Sequence, residues 1–127
     1  MVKSAHSVKD TIDRFAADVT AKGMKVFARI DHGQGASEAG LALRPTELLI
    51  FGNAKGGTPL MQSRQAIGID LPLKALAFEA ADGTVWLCYN DPHWLAKRHG
   101  IDSATVPAVN SLATALASLA KAAASAG

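Results

Sequence analysis

The sequence predicts one α+β domain, a four- to five-stranded, mostly antiparallel sheet with helices layered on one face. Three observations carry that expectation. Apolar residues recur at helical spacing over Val8–Val19 and Val106–Ala123, alternate with polar ones over Met24–Asp31, and flank an Asp-Gly pair at Asp82-Gly83. At 127 residues the chain has room for one core and no second domain.

Val2–Ala5 reads as a short edge strand. Ser7 with Asp10 three residues on is a capping-box variant, so a helix starts at about Val8. Its apolar stripe is Val8, Ile12, Phe15 and Val19, and Gly23 supplies the left-handed stop. Met24–Asp31 alternates with period two, apart from Phe27 on the polar side, and reads as a half-buried strand. After the glycine-rich Asp31-His32-Gly33-Gln34-Gly35 comes a short helical piece, Ala36–Leu41. Thr46–Phe51 is apolar without clean alternation and is expected as a central strand covered on both faces.

Gly52-Asn53-Ala54-Lys55-Gly56-Gly57 reads as a loop, and Thr58-Pro59 as the start of a helix reaching about Ala66. Leu73–Ala80 and Thr84–Asn90 form a hairpin around Ala81-Asp82-Gly83. Asp91-Pro92 opens a short helix ending near Gly100. The last helix carries Val106, Val109, Leu112, Leu116, Leu119 and Ala123 as one stripe, with alanines between them raising helix propensity.

Composition excludes several functional classes. Thirteen basic against eleven acidic residues leave a charge of +2, too small a field to imply nucleic acid or a membrane surface as partner. The single Cys88 forms no internal disulfide and fits a reducing, cytoplasmic setting. No apolar stretch approaches the ~18 residues of a membrane span. Histidines 6, 32, 93 and 99 lack metal-ligand spacing, so no zinc site is expected, and no cofactor is implied.

Blocks along the chain resemble a known family. Asp31-His32, Arg44-Pro45-Thr46, Phe51-Gly52-Asn53, Gly57-Thr58-Pro59-Leu60-Met61, Asp70-Leu71-Pro72-Leu73-Lys74 and Tyr89-Asn90-Asp91-Pro92 stand in the order of the domain-of-unknown-function 302 family, from about Ser4 to about Gly100. The resemblance implies a compact α+β domain similar to the TATA-binding-protein-like class, often dimeric, and carries no activity with it. Ala54 departs from the proline usual after Gly-Asn, which implies a looser loop here.

The candidate site residues are Asp31, His32, Asn53, Lys55, Lys74 and Tyr89. Asp31 beside His32 suits acid/base chemistry, while the plainer expectation is an Asx bond from Asp31 and a solvent-facing His32. Gly52–Thr58 joins a strand to a helix start, where free N–H groups and Lys55 would attract an anion. Lys74 stands after the Leu71-Pro72 turn, and Tyr89 ends a strand on the face of Val85 and Leu87, opposite Trp86 and Cys88. Cys88 reads as an inert core thiol, and His99 as a partner of its own helix's carbonyls.

These features favour a small-molecule or anion-binding domain, homodimeric through an uncovered sheet face bearing Phe27 and Trp86. The competing readings are an enzyme built on Asp31, His32 and Tyr89, and a protein-interaction domain. For the uncovered face, the competing occupant is the alanine-rich last helix.

Overall fold

The computed structural model describes residues 1–127. Five strands, β1 (Val2–Ser4), β2 (Lys25–Asp31), β3 (Thr46–Gly52), β4 (Leu73–Glu79) and β5 (Val85–Tyr89), form one sheet. Its order is β1-β5-β4-β3-β2, and every neighbouring pair is antiparallel. The helices are α1 (Val8–Ala21), α2 (His32–Glu38), α3 (Ala54–Ser63), α4 (Pro92–Arg98) and α5 (Pro107–Ala124), with a 3-10 turn over Gln65–Asp70.

One core fills the space between the sheet and its helices. Ile12, Phe15 and Val19 of α1, Leu49 and Phe51 of β3, Leu87 of β5 and Leu116 of α5 are buried together, and the Phe15 and Phe51 rings meet edge to face at 5.1 Å. Burying such side chains stabilises the domain by ~1.5–3 kcal/mol each. The last helix therefore belongs to the core rather than to the opposite sheet face. Beneath α1, the Ser4 and Thr11 hydroxyls bond each other at 2.6 Å, which satisfies two buried polar groups.

Several local signals act as expected. The Ser7 hydroxyl accepts the Asp10 N–H, Gly23 takes φ +82°, and Gly83 takes φ +85° in the β4–β5 turn. Others are corrected by the structure. Helix α2 begins at His32 and not at Ala36, because the Asp31 carboxylate accepts the Gln34 N–H at 2.9 Å and caps it.

Likewise α3 begins at Ala54 and not at Thr58. Asn53 Oδ1 accepts the Gly56 N–H at 2.7 Å, so the cap lies five residues earlier, and Pro59 falls inside the helix. Ala54 holds the first helical position, where proline is also well accommodated.

Strand β3 is not covered on both faces. Glu47, Leu49 and Phe51 are buried under the helices, whereas Leu48 and Ile50 are only half-buried on the other side. The register aligns Ile30, Leu48, Leu76 and Cys88 in one row of that open face, with Thr46, Phe78, Trp86 and Lys3 in the next. The lack of alternation in β3 thus reflects an apolar outer face.

Candidate functional site

Near the first residue of β2, the last of β3 and the first of β4, the chain leaves a cavity of about 240 Å³. Four segments far apart in sequence meet there. Met24, Phe27, Met61, Leu71, Leu73 and Leu112 form its apolar body, and Gly52, Asn53, Gly56, Gly57 and Gly68 bring backbone to its wall.

Each boundary has a local cause. A register shift between Val26 and Ala28 bulges β2 at Phe27, which stays half exposed and lines the cavity. Asn53 ends the strand and caps α3, its side chain on the Gly56 N–H and its carbonyl on the Gly57 N–H. The 3-10 turn then brings Gly68 against Met61, and a cis Leu71-Pro72 bond leads into β4.

The two helical glycines differ in what holds them. A Cβ at Gly56 would stand 3.0 Å from Asn53 Oδ1 and 3.1 Å from Leu112 Cδ2, close enough that both side chains would have to shift. At Gly57 the nearest atoms are Leu71 Cδ1 at 3.6 Å and Met61 Cε at 3.8 Å, ordinary contact distances, and both residues line the cavity. Glycine costs a helix interior ~1 kcal/mol relative to alanine. A side chain at Gly57 would project among atoms that line the cavity.

The wall is tied to α4 by a cluster that sequence reasoning missed. His99 Nε2 lies 2.5 Å from Asp70 Oδ2, and Arg98 Nη1 is 3.2 Å from Asp70 Oδ1. The His99 hydrogen bond first, with the Arg98 and Lys74 charges, holds the Asp70 carboxyl below the usual carboxylate range. The His99 imidazole thus bonds a carboxylate, and only the backbone N–H of His99 bonds its helix carbonyls. The signal available beforehand was Asp70 within the Asp-Leu-Pro-Leu-Lys block, which named no partner.

The sequence candidates do not converge. Asp31 caps α2 and His32 is solvent-exposed at the β2 end paired with Glu47, whereas Asn53 follows Gly52, the partner of Lys25 at the other end. Five residues of strand, about 17 Å, separate the two ends. Tyr89 sits opposite Ala75 on the helix face, and Lys74 opposite Ile50 on the open face. Of the six, only Asn53 lines the cavity, with Lys55 exposed next to the lining Ala54.

Near the far end of the sheet, Arg29 bonds Glu47 at 2.8 Å and Asp13 at 2.5 Å, joining α1 to β2 and β3. It is a structural clasp. Cys88 is not a core thiol: it is half-buried on the open face opposite Leu76, and burial pushes its thiol pKa up.

The profile of the family described as Domain of unknown function DUF302 matches residues 1–119. This chain belongs to the DUF302 family. A crystal structure of an uncharacterized conserved DUF302 protein from Bacillus stearothermophilus superposes with a TM-score of 0.84 at 20% identity, covering 96% of this chain and 94% of that one, so the α+β architecture is shared. Among curated proteins, this DUF302 chain is 52% identical over 120 residues to Fluoride-specific ion channel FluC 1 of Brucella suis biovar 1 and to FluC 2 of Brucella melitensis biotype 1. It matches along 94% of its own length but spans only 47% and 44% of theirs, about half. No helix of this chain is long and apolar enough to cross a membrane.

Proposed function

We propose that this DUF302 chain is a small-molecule-binding domain whose ligand sits in the cavity walled by the β2 bulge, α3, the 3-10 turn and Leu112. Gly57 carries the reading: helix stability is given up at a position where a side chain would meet only cavity-lining atoms. A lining that is mainly apolar with one polar side chain, Asn53, is the usual composition of a ligand pocket. The volume lies just under the drug-sized range, which favours a compact ligand.

Channel activity is named for the relatives, of whose length this chain spans about half. The sheet has two ends, β1 and β2, and is open rather than a closed barrel. Fluoride is a poor fit for the cavity as well, since a small anion loses its water there against few polar groups.

The test follows the amide signals of Gly52, Gly56, Gly57 and Gly68 by NMR during titration with benzyl alcohol, hexanol and sodium fluoride. We expect the alcohols to shift these amides in the parent and not in Gly57→Leu, whose side chain fills the space. Alcohol shifts that persist in the variant, or no alcohol response in the parent, overturn the reading. A response to fluoride alone favours the anion named for the relatives.

A second reading concerns the open sheet face, and we propose that a second copy covers it. The row Ile30, Leu48, Leu76 and Cys88 is apolar from edge to interior, with Phe78 and Trp86 beside it. Five strands about 4.8 Å apart and about six residues long give a footprint of roughly 500 Å² per copy. Two such faces reach the ~1,000 Å² a specific interface needs.

A further inference from the structure

We infer that the cavity takes a small organic acid, an apolar body with one anionic head, and that Lys25 at the rim is the head group's partner. The inference rests on the cavity reading above. Lys25 pairs across the sheet with Gly52, a lining residue, and its ammonium stands 5.3 Å from the ring centroid of Phe27, another lining residue. The aromatic face attracts the cation and holds it beside Phe27.

Charge on the lining segments is one-sided. Residues 22–27, 52–61 and 68–74 carry Lys22, Lys25, Lys55 and Lys74, and none of these forms an ion pair. Their one carboxylate, Asp70, is engaged by His99 and Arg98. Lys74 lies on the open face, which leaves Lys25, beside Phe27, as the cation nearest the lining, and a cation at an apolar cleft favours an anion over a neutral molecule of the same shape. The apolar floor of Met61, Leu71 and Leu112 meanwhile offers nothing to a hydrated inorganic ion. A carboxylate on a short hydrocarbon or ring satisfies both regions.

The experiment compares matched pairs, benzoate with benzyl alcohol and hexanoate with hexanol, by titration calorimetry and the same glycine amides. The parent should bind each acid at least tenfold more tightly than its alcohol, with the preference shrinking in 0.5 M salt. Lys25→Gln should abolish the preference, while Lys25→Arg and Lys55→Gln retain most of it. Equal affinity for acid and alcohol in the parent, or a preference that survives Lys25→Gln, overturns the inference and leaves the cavity reading standing. If neither member of any pair moves the lining amides, the cavity reading fails and takes this inference with it.

Discussion

The imidazole of His99 lies 2.5 Å from the carboxylate of Asp70, joining the end of α4 to the turn that walls the cavity. Because Asp70 has a folded pKa below its unfolded value of about 3.9, its contribution to stability is full above that value. It is lost as pH falls through the lower, folded pKa. Melting temperature followed from pH 7 to pH 2 should therefore drop less steeply below pH 4 in Asp70→Asn than in the parent. Parallel curves would show that this pair does not contribute to acid stability.

Asn53→Ala should destabilise the domain by about 1 kcal/mol, since it removes the acceptor at 2.7 Å from the Gly56 N–H. Thr58→Ala should change stability by less than ~0.5 kcal/mol, because Thr58 is an exposed residue inside α3. Urea unfolding of the two variants separates these positions. The reverse ranking would put the helix start back at Thr58.

Alanine at the two neighbouring glycines should act with opposite sign. Gly57→Ala should stabilise by up to ~1 kcal/mol, as its methyl meets only ordinary contacts. Gly56→Ala gains the same propensity but presses on the cap oxygen of Asn53 and the buried Leu112, so it should destabilise. Denaturant midpoints read both effects.

Leu76 pairs with Leu48 and Cys88 near the middle of the open face, so Leu76→Lys places a charge at the centre of the proposed interface. Sedimentation at micromolar concentration should give a dimer for the parent and a monomer for the variant, with circular dichroism unchanged. A monomeric parent sinks the reading. Removing α5 cannot serve as the control, because Val109, Leu112 and Leu116 are part of the core.

Signals written in local residue order were decided by the sequence alone. The Ser7 cap, the Val8–Val19 stripe, the Asp82-Gly83 turn, the stripe of the last helix and the ordered blocks that mark the family all stand where the residues put them. The caps, stripes and turn depend on neighbours within about four positions, and the blocks on their order, both of which a sequence displays directly. Asn53 and Thr58 are both capping residue types, so which one starts α3 depended on where β3 ends and on how closely Leu112 approaches Gly56. His99 had no visible partner because Asp70 is 29 residues away in the chain. The cavity was least legible of all. It is space left unfilled by residues near positions 24, 57, 68 and 112, and only the packing of those separated segments determines whether side chains close it.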